Sequence, residues 1–262
     1  METRDPVYHH RIWMSKLPDL LPLCRIVAIP GTHNSATARR LWTVRDALPW
    51  LWAKCQRATI DEQLLMGVRA LDLRLLFEST GTEGPTIRIS HSYPCKDTLQ
   101  SVLNSVVSFL KTHTSEFVVI RMKRDWHHRH KWNETANTIF RRIVADLPPQ
   151  HRMGECNGRE RLEKVRGKLI LVCPDAAVPL CPRNLAFKNK LDVWNSASQK
   201  AGQHRLLRYI HNIKHPTEQQ RLERGSMRGI GVNVLVGPLT PRLVSKSMNK
   251  WLRKYLHMRI SM

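Results

Sequence analysis

The chain has 262 residues, 42% hydrophobic and 24% charged, a balance that builds a packed core and excludes a disordered polymer. No apolar run reaches the ~18–20 residues that cross a bilayer, and the opening Met1-Glu2-Thr3-Arg4-Asp5 lacks the apolar stretch of a secretory signal. Lys and Arg number 43 against 21 acids, and the net charge of +22 calls for a polyanionic partner, nucleic acid or an anionic lipid surface.

In chain order, short apolar runs alternate with amphipathic stretches. Strands are expected at Arg25–Ile29, Val68–Leu75, Thr86–Ser90, Phe117–Met122, Lys168–Cys173, Leu191–Trp194 and Gly231–Val236. Thr59-Ile60-Asp61-Glu62 reads as a capping box that opens a helix at Gln63-Leu64-Leu65-Met66. Leu99, Val102, Leu103, Val106, Val107 and Leu110 recur at helical spacing. Thr240-Pro241 places a cap and an N1 proline before a last helix running to about His257. The six cysteines show neither a CxxC pair nor zinc-finger spacing, and Cys24 and Cys173 read as small core residues in a reduced protein. There are no repeats or low-complexity linkers, so a single domain over 1–262 is expected. The alternation predicts an α/β fold of the TIM-like (β/α) barrel kind, which typically takes about 250 residues. The seven strands are one short of eight, so the barrel is expected to be irregular or to lack its closing strand.

Polar residues stand where these strands end. The first runs into Pro30-Gly31-Thr32-His33-Asn34-Ser35, the second carries Asp72 and Arg74, the third delivers His91 and the fourth delivers Lys123. In a barrel these positions converge on one mouth, where such enzymes keep their active sites. Asp72 and Arg74 are two apart and point to the same side of their strand. Two histidines, an arginine and a carboxylate suit phosphodiester cleavage. One His takes a proton from an attacking hydroxyl, the other protonates the leaving oxygen, and both tasks favour groups that titrate near neutral pH. Arg74 is suited to fork onto phosphate oxygens. Any one of these residues taken alone is equally at home as a structural histidine or a buried ion pair.

Ile29-Pro30-Gly31-Thr32-His33-Asn34-Ser35, the run from Gln63 through Arg74, and Ser90-His91 together resemble the X domain of phosphatidylinositol-specific phospholipases C. The likeness is to the small X-domain-only members, bacterial and eukaryotic. Trp52-Ala53-Lys54-Cys55-Gln56 and Glu116-Phe117-Val118-Val119-Ile120 are similar to the trypanosomal enzyme that cleaves glycosylphosphatidylinositol (GPI) anchors. The similarity runs from about Trp13 to Leu256 and is strongest before residue 125. It implies cleavage of phosphatidylinositol or GPI lipids by attack of the inositol 2-hydroxyl, giving inositol 1,2-cyclic phosphate and diacylglycerol. In that scheme His33 is the general base and His91 the general acid. Arg74 holds the phosphate, Asp72 supports the leaving-group side, Lys123 lies at the rim near the inositol, and Asn34 lines the substrate site. Calcium-dependent relatives carry an acid at the position of Arg74, and calcium takes about six to eight oxygen ligands. Arg74 therefore implies an enzyme without a metal or other cofactor, although Asn34 is the residue calcium enzymes have and bacterial ones replace by Asp.

The chain also departs from that pattern. Gly231–Val236 reads as the penultimate strand, so the closing strand and the Asp on it that orients the base histidine are expected to be missing. Cys173-Pro174 stands where active relatives often carry an Arg. Arg121–Trp132 mixes cations with indoles in an expected rim loop, and Lys246–Arg259 interleaves Lys250, Arg253 and Lys254 with Trp251 and Leu252. Such segments suit an anionic membrane surface. Trp251 and Leu252 suit ordinary packing as well, and Trp50 and Trp52 suit either rim insertion or the core. The expected partners are thus anionic membrane lipids, phosphatidylinositol or GPI, with no specific nucleic acid, for a monomer in the cytoplasm or peripheral to a membrane. The competing readings are a weak or inactive lipid-binding relative and a basic nucleic-acid-binding protein.

Overall fold

Two apolar faces organise one sheet. The structure, a computed structural model, describes residues 11–26, 29–39, 54–80, 84–154, 156, 158–173, 175 and 177–178, together with the backbone of 192–193, 229–231 and 233–234. Strands are β1 (Ile29–Thr32), β2 (Ala70–Glu78), β3 (Thr86–His91), β4 (Tyr93–Thr98), β5 (Val118–Arg124), β6 (Leu169–Val172), β7 (Asp192–Val193), β8 (Gly229–Gly231) and β9 (Asn233–Val234). Helices are α1 (Ile60–Leu65), α2 (Leu99–Thr112), α3 (Glu134–Ala145) and α4 (Leu162–Val165).

The parallel path runs β8-β1-β2-β5-β6, and the antiparallel hairpin β3–β4 branches from the second half of β2. β7 pairs with β9, while β8 pairs with β1, so the one segment 229–234 makes both contacts. Of the strand expected at Gly231–Val236, Gly231 lies beside β1 and Asn233–Val234 pairs with β7. Among the described residues no pairing joins β6 to β7, and the sheet is not closed.

Side chains alternate strictly along the parallel strands, as the two-residue period of a strand requires. Leu71, Leu73 and Leu75 of β2, Val118, Ile120 and Met122 of β5 and Leu169 and Leu171 of β6 bury themselves in one core. In that core they share contacts with Leu99, Val102, Leu103, Val106 and Leu110 of α2 and with Phe140, Ile143 and Val144 of α3. Each such side chain contributes about 1.5–3 kcal/mol when fully buried. On the opposite face Ala70, Val119, Ile170 and Val172 join Ile29, Phe117 and Leu162 in a second core. That face stays apolar only at the strand starts. Further along it carries Asp72 and Arg74 on β2, in register with Arg121 and Lys123 on β5.

Local signals hold where they were strong. Thr59 caps α1 in a reciprocal capping box with Glu62, and the apolar stripe of α2 is buried. The first strand begins at Ile29, four residues later than expected, because Leu23–Arg25 winds into a 3-10 turn with Ile26 N–H donating to Leu23 O. Pairing with β2 and β8 then carries the extended backbone through Pro30 and Gly31. Cys173 is buried, as expected of a small core residue, and disulfide-bonded, where a reduced protein was the simpler of two open readings. Cys55, Cys95 and Cys156 are buried and not disulfide-bonded. The expected helix at 240–257, with Lys246–Arg259, and the indoles of Trp50 and Trp52 lie outside the described residues.

Candidate active site

The turn after β1 is built by polar side chains that replace missing backbone partners. Thr32 Oγ1 donates to Gln63 Oε1 at 2.6 Å, and Gln63 Nε2 donates to the carbonyls of Ser35 and Ala58 at 2.8 Å each. Gln56 Nε2 donates to His33 O at 2.8 Å. Ser35 stitches the turn to β2. Its N–H donates to Asp72 O, and its Oγ accepts from Asp72 N, both at 2.8 Å. Asn34 sits at φ 47°, a left-handed conformation that Asn tolerates better than most side chains. The outcome is that His33 is buried and fixed at the strand ends.

His33 Nδ1 lies 2.8 Å from Asp72 Oδ2, and Arg121 donates to Asp72 Oδ1 at 2.8 Å. Arg74 approaches Asp72 Oδ2 at 3.8 Å. Burial works to raise the Asp72 carboxyl pKa. The hydrogen bond from His33 and the charges of His33, Arg74 and Arg121 outweigh it and hold the group below the usual carboxylate range. The structure puts Asp72, expected on the leaving-group side, against His33.

His91 ends β3 and is half-buried. It meets the His33 turn through sulfur: Cys55 Sγ is 3.5 Å from His91 Nδ1, and Asn34 Nδ2 donates to the same sulfur at 3.3 Å. Beyond His91, Ser92 turns the chain at φ 62° into β4. The buried carboxylate of Asp125 holds that turn, accepting from Ser92 N and His127 N, and His128 Nε2 lies 3.0 Å from Ser92 O. Lys123 stands beside Arg74 by register. His33, Asp72 and Arg74 thus meet directly, Asn34 and His91 join them through Cys55, and Lys123 flanks the group.

Three residues of this constellation were not assigned to the site from the sequence: Arg121, Cys55 and Gln56. Arg121 had a signal, because it stands two residues before Lys123 as Asp72 stands two before Arg74. Among the described residues no group of three or more His, Cys, Asp or Glu side chains is arranged to hold a metal ion. The guanidiniums of Arg74 and Arg121 already occupy Asp72, so the donors present do not fit calcium.

Two of the indoles in Arg121–Trp132 have different surroundings. Trp132 packs edge-on against Phe140 and donates to Asn137 Oδ1 at 2.8 Å. Trp126 is 68% exposed, with the Arg129 guanidinium 3.9 Å above its ring. No described helix is long and apolar enough to cross a membrane.

The cluster stands at the strand ends of a parallel sheet, the place where barrel enzymes keep their active sites. The family model described as phosphatidylinositol-specific phospholipase C, X domain, matches residues 32–173. The chain belongs to that family. It is 28% identical over 162 residues to a Staphylococcus aureus protein named 1-phosphatidylinositol phosphodiesterase, covering 61% of this chain and 49% of that one. It is 29% identical over 133 residues to the PI-PLC X domain-containing protein 1 of Danio rerio, covering 42% of each. It spans about half the length of these relatives. The solved phosphatidylinositol-specific phospholipase C of Listeria monocytogenes superposes with a TM-score of 0.71 at 20% identity, over 96% of this chain and 89% of that one.

Proposed function

We propose that the chain cleaves phosphatidylinositol, or the same headgroup within a GPI lipid, by intramolecular phosphoryl transfer. The observation that carries this reading is the His33–Asp72 contact, made beside Arg74 and Arg121 in the part of the chain that matches the family. Asp72 accepts the Nδ1 proton of His33, which leaves Nε2 to take the proton of the inositol 2-hydroxyl. The freed oxygen attacks phosphorus, and the bond to the diacylglycerol oxygen breaks. His91 supplies the proton that this oxygen needs. Arg74, with Lys123 beside it, offsets the charge that gathers on the phosphate oxygens, the work a metal does elsewhere. Asn34 lines the substrate site: its Oδ1 is buried and has no hydrogen-bond partner, which suits it to accept from a substrate hydroxyl.

The test is release of inositol 1,2-cyclic phosphate from phosphatidylinositol vesicles, with calcium or with chelator, beside His33→Ala and His91→Ala. Turnover is expected to survive chelation and to fall by at least about a hundredfold in each variant. A GPI lipid run in parallel distinguishes the two headgroups. Folded protein that turns over neither lipid would leave the readings of a lipid-binding relative and of a basic nucleic-acid-binding protein.

The chain's positive charge and the exposed Trp126 suit docking on anionic lipid, where each cation near the surface adds about 1 kcal/mol. Trp126→Ala is expected to weaken binding to phosphatidylinositol-containing vesicles roughly tenfold, the equivalent of a large apolar side chain left in water. Sedimentation of the protein with vesicles reads this directly. Unchanged binding would place the docking surface elsewhere.

A further inference from the structure

The two histidines of the site have unlike partners. His33 faces a carboxylate, which stabilises the imidazolium formed when the ring takes a proton. His91 faces a thiol. Cys55 Sγ lies 3.5 Å from His91 Nδ1 and accepts from Asn34 Nδ2 at 3.3 Å. The cysteine is fully buried and outside any disulfide, so the contact is made inside the protein.

The same turn that places His33 places this sulfur. Cys55 N and Gln56 N both donate to Thr37 Oγ1 at 3.1 Å, and Thr37 Oγ1 in turn donates to Asn34 O at 2.8 Å. With Gln56 Nε2 on His33 O, residues 55 and 56 are pinned to both 33 and 34. A displacement of the sulfur thus requires a displacement of the His33 turn.

A thiol sulfur has two lone pairs and accepts weakly. It can take the Nδ1 proton of His91 and the amide proton of Asn34 together. The ring is then held with one proton fixed on Nδ1, and the mobile proton sits on Nε2. A carboxylate in the same place would stabilise the charged ring and oppose release of that proton. A neutral acceptor orients the ring without this cost, which is what a general acid needs.

We propose that Cys55 is the positioning residue of His91, fixing its tautomer so that Nε2 protonates the departing diacylglycerol oxygen. The inference rests on the phospholipase reading above. The proton passes from Nε2 to the leaving oxygen as the P–O bond breaks, the neutral imidazole keeps its Nδ1 proton on sulfur, and the S–H bond stays intact.

The test varies the leaving group at constant headgroup. The full chain and its Cys55→Ala, Cys55→Ser and His91→Ala variants are assayed on phosphatidylinositol in mixed micelles and on the 4-nitrophenyl ester of inositol 1-phosphate. Nitrophenolate departs without needing a proton. Cys55→Ala is expected to lower kcat on phosphatidylinositol by about tenfold with KM little changed, the usual scale for removing an orienting partner. On the aryl ester it should stay within about twofold of the unaltered chain, and His91→Ala should show the same asymmetry more strongly. Cys55→Ser should recover part of the loss, because its hydroxyl also accepts.

Equal loss on the two substrates would make Cys55 a packing residue and overturn the inference. So would an undiminished rate on phosphatidylinositol in Cys55→Ala. If the unaltered chain turns over neither substrate, the phospholipase reading fails and takes the inference with it. Turnover by the unaltered chain separates that failure from the other two.

Discussion

Asp72→Asn is expected to lower kcat on phosphatidylinositol by on the order of 10³–10⁴, with the fold retained. The argument is one of tautomers. In the proposed mechanism the carboxylate 2.8 Å from His33 Nδ1 accepts the proton there and so keeps Nε2 open for the substrate hydroxyl. An Asn side chain has nearly the same volume but offers an N–H, which favours the ring form protonated on Nε2. That form cannot act as a base. Asp72→Ala removes the carboxylate without imposing the wrong tautomer, so it is expected to be less damaging than Asp72→Asn. The reverse order, or a loss under tenfold in Asp72→Asn, would remove Asp72 from this role.

The same carboxylate has a signature in stability. Burial opposes its ionisation, but the hydrogen bond from His33 and the charges of His33, Arg74 and Arg121 leave its folded pKa below the unfolded value. A group shifted in this direction stabilises the fold above about pH 4, the ordinary carboxylate range, and loses that contribution as pH falls through the folded value. Thermal unfolding followed from pH 7 downwards should show this loss in the unaltered chain and a smaller one in Asp72→Asn.

How legible this site was depends on the distance over which each signal acts. The capping box at Thr59 and Glu62 is local and was read directly, as was the stripe of α2. The common side of Asp72 and Arg74 follows from the strand period alone. The period also puts Arg121 with Lys123, but only the strand register shows that Arg121 faces Asp72. The Cys55 contact with His91 spans 36 residues and a turn, and no periodicity announces it. β4, which follows β3 after Ser92 alone, was not among the expected strands. Pro94 is tolerated because β4 lies at the end of the strand order, its strand partner among the described residues being β3. At β1 the breaker residues Pro30 and Gly31 concealed a strand that its neighbours impose. The contact of Asp72 with His33 was not legible, because a residue's face is visible in sequence but its partner on that face is not.

The largest loss of stability is expected far from the chemistry, at the starts of β2 and β5. Arg69 and Glu116 are both fully buried, with Arg69 Nε donating to Glu116 Oε2 at 2.9 Å. Burial is the main influence on both, pushing Glu116 up and Arg69 down to about 10, and their mutual attraction offsets part of it. The remaining donors of Arg69 are used on the carbonyls of Leu64, Val68 and Arg11, and Glu116 Oε1 accepts from Met14 N and Ser115 Oγ. One ion pair therefore ties the N-terminal segment, α1, β2 and β5 together. Glu116→Ala leaves a buried guanidinium with no counter-charge and is expected to cost about 3–5 kcal/mol. In a chain of this size that lowers the unfolding temperature by on the order of 10 °C. Replacing both partners with apolar residues, as in Arg69→Met with Glu116→Leu, should recover most of the loss, because the penalty lies in the stranded charge rather than in the missing bond. Calorimetry on the single and double variants measures this, and a double variant no better than Glu116→Ala would mean that the network of carbonyl contacts, not the charge pair, holds the strand starts together.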